Sequence, residues 1–285
     1  MTAGGTSTLI RGARIFDGQR LLPASNVLLA GGAVAGIGDE LGVPAGADVF
    51  EGRGRTLLPG LIDCHVHAGD VRALGQALAF GVTTELDMFS DPGPAAQRRS
   101  LAASRDDVAD IRTAVQGATV TGGTFSRISP GLPTVGGPQD AAAFVAAQAA
   151  HGAAYLKVYL EDSAWYGSPA MSAATVRALV MAAHDRGMLA VAHADSAAMA
   201  HMFIQAGGDG LAHVLGDIDL TPEFLSDLRR DQSALFVRKL GVGSELHQGA
   251  PRVRTIPHIS APGQIVQGAP WRRGAKQART RRSRL

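Results

Sequence analysis

Apolar and polar positions follow two different rhythms along the chain, and the change comes near Leu57. Before it, short apolar runs are punctuated by turn residues. Leu9–Phe16 leads into Asp17-Gly18, a turn pair, while Asn26–Ala30 and Ala33–Ile37 flank Gly31-Gly32, a hairpin signal. Ala47–Thr56 can supply one more strand. The pattern predicts a small N-terminal β domain over residues 1–56.

From Leu57 onward, apolar strands alternate with helical stretches, the mark of βα units and a parallel sheet. A first strand ends in His65-Val66-His67. Further strands are expected at Gly81–Met88, Thr113–Ala118, Ala154–Leu160, Met188–His193 and Gly210–Val214, with a seventh beginning at Ala234–Val237. Between them the periodicity predicts helices at Val71–Phe80, Pro94–Asp110, Gln139–Ala150, Ala173–Asp185, Ser196–Ala206 and Pro222–Arg230. Ser172 is placed to cap the helix from Ala173, and Gly187 to end it. Thr119–Gly137, rich in Gly, Ser, Thr and Pro, reads as a loop long enough to line a site.

Charge changes this picture at the far end. Residues 238–285 carry 11 Lys/Arg and one Asp/Glu, whereas residues 1–237 carry 16 basic and 24 acidic side chains. The overall charge of +2 therefore averages two kinds of sequence. The basic stretch reads as a disordered tail or as out-of-frame translation. The abrupt switch inside a βα unit favours the second. A nucleic-acid-binding tail is disfavoured, because aromatics beyond Trp271 are not interleaved with the charges. The single cysteine, Cys64, rules out a disulfide within the chain. With no signal-peptide pattern and no run of about 18 apolar residues, a cytoplasmic protein without a membrane partner is expected.

Candidate chemistry sits at strand ends. In Leu61–His67 alternate side chains share a face, so Asp63, His65 and His67 point one way and Cys64 the other. The two imidazoles stand about 6–7 Å apart by strand rise, which suits ligands of one zinc-like ion. Lys157, in Tyr155–Tyr159, would be costly to bury as an ammonium and needs a partner or a modification. His193 and His213 close the next two strands. In a parallel barrel the C-terminal ends of the strands form the face where active sites are built.

The run Leu58-Pro59-Gly60-Leu61-Ile62-Asp63-Cys64-His65-Val66-His67, with Lys157, His193 and His213 following in order, resembles the amidohydrolase superfamily over residues 8–237. The resemblance implies a (β/α)8 barrel, incomplete here over residues 57–237, preceded by a small β-sandwich-like domain. It further implies a metal-dependent hydrolase acting on carbon–nitrogen bonds of a small-molecule substrate, such as a cyclic amide or dipeptide, and leaves a homo-oligomer open. His65 and His67 would hold a buried metal and His193 and His213 a more exposed one. Lys157, carboxylated, would bridge two divalent ions, with zinc favoured by the histidine-rich set. Lys157 and His213 are the residues to which it gives catalytic parts.

The sequence departs from that pattern in one respect. The resemblance calls for a proton-shuttling aspartate closing an eighth strand, and no such strand or aspartate follows Val237. A chain that retains metal ligands but is catalytically incompetent is therefore the second expectation.

Overall fold

A computed structural model describes residues 7–213, 215, 235 and 236. The tail from residue 238 and the expected helix Pro222–Arg230 lie outside them. The chain divides into two compact units, with the boundary after Gly60.

The first unit is one five-stranded sheet. Its strands are β1 (Thr8–Phe16), β2 (Leu21–Ala30), β3 (Ala33–Ile37), β4 (Asp48–Glu51) and β5 (Thr56–Leu57). β1 pairs antiparallel with β2 and parallel with β4 and β5, and β2 pairs antiparallel with β3 across the expected Gly31-Gly32 turn. β2 begins five residues earlier than the apolar run suggested. Its first half, Leu21–Ser25, is mostly exposed and shows no clean alternation to read. Leu9, Ala13, Ile15 and Val27 form the buried face.

The second unit carries the βα succession. β6 (Leu61–Val66), α1 (Val71–Ala79), β7 (Val82–Asp87), α2 (Pro92–Ser104) and β8 (Asp110–Thr113) form a three-stranded parallel group in the order β6-β7-β8. After a long connection come the short helix α3 (Thr124–Ile128) and α4 (Ala141–Ala150). The chain then continues through β9 (Tyr155–Leu160), α5 (Ser163–Tyr166), α6 (Ala173–His184), β10 (Leu189–Ala194), α7 (Ala197–Gln205), β11 (Gly210–Leu211) and β12 (Leu235–Phe236). β9 to β12 form a second parallel group. The two groups meet through Ala154 N–H donating to Thr113 O (2.8 Å) and through a bridge between Ala118 and Val158. Among the described residues the strands do not close into a barrel.

Local sequence explains most boundaries. Asp70 accepts from Arg72 N and Ala73 N to start α1, Pro92 occupies the first turn of α2, and Ser172 caps α6 as expected. The third βα strand corrects the sequence reading. It is Asp110–Thr113, not Thr113–Ala118, and α2 stops at Ser104 rather than Asp110. Val115 explains the early end of the strand. Its backbone is left-handed (φ 59°) and its N–H is taken by Thr113 Oγ1 at 2.9 Å, so the chain leaves the ladder there. The core lies where α4, α6 and α7 cover one face of β9 and β10. Leu156, Val158 and Leu160 from β9 pack there with Leu179, Val180 and Phe203.

Candidate functional site

Strand register decides what faces the strand-end rim. Leu156, Val158 and Leu160 are consumed by the helices, so Tyr155, Lys157 and Tyr159 take the opposite face. β10 pairs with β9 so that Val191 lies beside Lys157 and His193 beside Tyr159. Lys157 therefore sits near the middle of its strand, one pleat deeper than His193, rather than at the strand end. Its long side chain is 1% exposed, with Nζ 3.8 Å from Met88 Sδ and 5.8 Å from the centre of the Tyr159 ring.

The four histidines come together. Ring centres are 5.4 Å apart for His65 and His67, 4.9 Å for His65 and His213, and 4.5 Å for His193 and His213. These are ring-contact distances, so the imidazoles pack in a row rather than around one point. Among the described residues, no three His, Cys, Asp or Glu side chains are arranged to hold a single ion. His65 Nδ1 lies 3.1 Å from Ala212 O, a bond between β6 and the residue after β11. A carbonyl only accepts, so Nδ1 carries a proton, and in the neutral ring Nε2 holds the lone pair. Burial, with repulsion from His193, Lys157 and His65 in their charged forms, depresses the His213 pKa to about 3 against the pull of Asp195. His213 is thus neutral at ordinary pH, the form that can ligate a metal. Cys64, on the other parity of β6, is half-buried. Burial raises its thiol pKa, so it stays protonated.

Several polar residues that the sequence reading did not single out support this row. Asp87, fully buried at the end of β7, accepts from Ala68 N (3.1 Å) just beyond His67, from Thr113 Oγ1 (2.9 Å) and from Ser90 Oγ. Tyr155 donates to the Asp87 backbone carbonyl at 2.8 Å. Arg98 of α2 pairs with Asp87 at 3.7 Å and donates to Gly69 O at 2.9 Å and to Ser90 Oγ. Glu161, 3% exposed after β9, accepts from Thr124 N (2.7 Å) and Phe125 N (3.2 Å), which draws α3 over the rim. Phe125 then stacks on Tyr159 at 3.8 Å and meets His193 edge-on at 5.2 Å. Gly117 makes room for this wall, since a Cβ there would lie 2.4 Å from Tyr159 Cε2. The signal available for Glu161 was its place just past a barrel-type strand. Arg98, in a helix that the sequence marked only by its periodicity, carried no such signal.

Three comparisons bear on the fold and the family. No protein-family profile matches the chain. A dihydroorotase of Mycobacterium tuberculosis is 35% identical over 99 residues, which is 32% of this chain and 22% of that enzyme. A dihydroorotase of Geobacter sulfurreducens is 41% identical over 63 residues, 22% of this chain and 15% of that enzyme. Among solved structures, a Xaa-Pro dipeptidase superposes with a TM-score of 0.66 at 21% identity, covering 80% of this chain and 66% of its own. Molinate hydrolase gives 0.67 at 18% identity, covering 80% of this chain and 62% of its own. The matched stretches thus span less than a quarter of the dihydroorotases' length, and the shared fold just under two thirds of those two structures. The chain is thus similar to dihydroorotases over the matched stretch and shares the fold of the dipeptidase and molinate hydrolase structures.

Proposed function

We propose that the chain carries the site of a metal-dependent amidohydrolase that cleaves the carbon–nitrogen bond of an amide, cyclic amide or dipeptide-like small molecule. The supporting observation is the continuous row His67–His65–His213–His193, set beside a lysine that is 1% exposed. By residue chemistry rather than by the ring-packed arrangement, the donor set suits a divalent metal such as zinc. His213 is held neutral, His65 keeps its Nε2 lone pair, and a buried Lys157 becomes an anionic ligand if carboxylated. His65, His67, Lys157, His193 and His213 would hold it, as a pair of ions if the resemblance carries over. The metal would supply Lewis acidity toward the scissile carbonyl and lower the pKa of bound water. The chain's own residues set the surroundings. Phe125 and Tyr159 form an apolar wall beside His193 that keeps bulk water from the reacting carbonyl. In this reading the second unit is an incomplete barrel and the first a sandwich-like domain.

A second reading is a chain that binds metal and turns over poorly. It is favoured by β6, which among the described residues has a sheet neighbour on one side only and exposes Leu61 and Ile62. Purified chain incubated with zinc and bicarbonate tests both. Stoichiometric zinc with hydrolysis of a dihydroorotate-, hydantoin- or dipeptide-type substrate supports the first reading. Bound zinc with rates lower by about 10²–10⁴, the typical worth of general acid–base help, supports the second. Failure to bind zinc, with His193→Ala and His65→Ala behaving like the wild type, would sink both.

A further inference from the structure

His193 is held from two directions. Its Nε2 lies 3.1 Å from Asp195 Oδ2, and Tyr166 donates its hydroxyl to that same oxygen. Tyr166 ends α5, which follows β9, whereas Asp195 follows β10, so the bond joins two neighbouring strand-end loops. A second tie runs parallel to it. Ser196 Oγ donates to Asp162 Oδ2 at 2.7 Å, Asp162 also accepts from Ala164 N at the head of α5, and Ser196 caps α7. Asp195 is therefore fixed by the chain on both sides of it, and it in turn meets the imidazole. A carboxylate only accepts, so Nε2 carries a proton, and in the neutral ring Nδ1 holds the lone pair.

We propose that Asp195 and Tyr166 are positioning residues, which lock the ring rotation and tautomer of His193 and so prepare Nδ1 to meet a divalent metal. The inference rests on the metal-site reading above, but its core, a fixed ring with a protonated Nε2, is a property of the metal-free chain. Outer partners of this kind typically change metal affinity about 10–100-fold. Tyr166 acts at one remove. Without its hydroxyl the carboxylate regains rotational freedom, and the histidine loses orientation rather than its partner.

The test uses the full chain with isotopically labelled histidine, as wild type and as Asp195→Ala, Asp195→Asn and Tyr166→Phe. Without metal, a slowly exchanging Nε2–H resonance from His193 is expected in the wild type and in Asp195→Asn, whose amide oxygen still accepts. It should vanish in Asp195→Ala, and Tyr166→Phe should keep it but speed its exchange. With zinc, Asp195→Ala should bind about 10–100-fold more weakly, and Asp195→Asn should recover most of that loss. A resonance absent from the wild type or persisting in Asp195→Ala overturns the proposal, as does zinc binding by Asp195→Ala as tight as wild type. If Asp195→Ala fails to fold by circular dichroism, the decision passes to Tyr166→Phe, where unchanged Nε2–H exchange overturns it. A wild type that binds no zinc while the resonance follows the variants ends the metal reading and leaves the positioning role standing.

Discussion

The two strand groups of the second unit are held by different physics. Around β9 and β10 every residue of β9 is buried and the helices bury a broad apolar face. Around β6, β7 and β8 the apolar cluster is small, comprising Leu74, Ala102, Val108 and Ile111. There the strands are joined instead through a buried polar hub, with Asp87 and Arg98 at its centre. One group is stabilised mostly by area removed from water. The other depends on every buried polar atom keeping its partner. His65 and His67 belong to the polar group and His193 to the apolar one, so the row of histidines bridges both kinds of support.

The sharpest way to break the comparison is to remove charge from the polar group. Asp87→Ala leaves Arg98 buried without its counter-ion, and such truncations cost about 3–5 kcal/mol. Chemical denaturation should show a loss of that size, and a loss below about 1 kcal/mol would show that the hub is not what holds this group. Leu156→Ala probes the apolar group. It removes a fully buried side chain and should cost about 2–5 kcal/mol.

Glu85 sharpens the comparison through pH. Burial, reinforced by the nearby Asp63 and Asp87 charges and only partly offset by Arg98, raises its pKa from 4.5 to about 7. A carboxyl that holds its proton more tightly when folded favours the folded state least where it must ionise. Stability should therefore fall as pH rises from about 4.5 through about 7. Glu85→Gln should flatten that slope, and urea midpoints between pH 4 and 8 on wild type and variant, those limits chosen to bracket roughly the two pKa values, would show it. A slope unchanged in the variant would reassign the effect to another group. The smallest expected effect is at the open side of β6. Leu61 is 54% exposed, so Leu61→Ala should shift stability by no more than about 0.5 kcal/mol.

The same contrast explains what could be read from the sequence. The apolar group announces itself, because alternation in Tyr155–Leu160 assigns Lys157 and its neighbours to the correct faces, and caps such as Ser172 mark the helices. His65, His67, His193 and His213 were legible as strand-end residues on an ordered βα pattern. The polar group was less so. Arg98 is one basic residue among several in α2, Asp87 one acid in a strand, and only folding makes them partners. The misplaced third strand has the same origin. Ala114–Ala118 is apolar enough for a strand, but a left-handed turn at Val115, secured by the Thr113 hydroxyl, takes it off the sheet.

The hub at Asp87 also bears on how such a scaffold can diversify. It fastens the stretch just after His67 and the end of β8 to one carboxylate, and the Tyr155 hydroxyl to the backbone carbonyl of the same residue, so this corner of the rim is anchored without help from the long connection between β8 and β9. That connection is tethered where Glu161 grips α3 and again where Val135 N donates to Thr119 O and Thr134 meets Thr121, which leaves the stretch between Ile128 and Thr134 as the part that can lengthen or change composition. Inheritance can thus rewrite that exposed stretch while the corner that places the histidines stays the same.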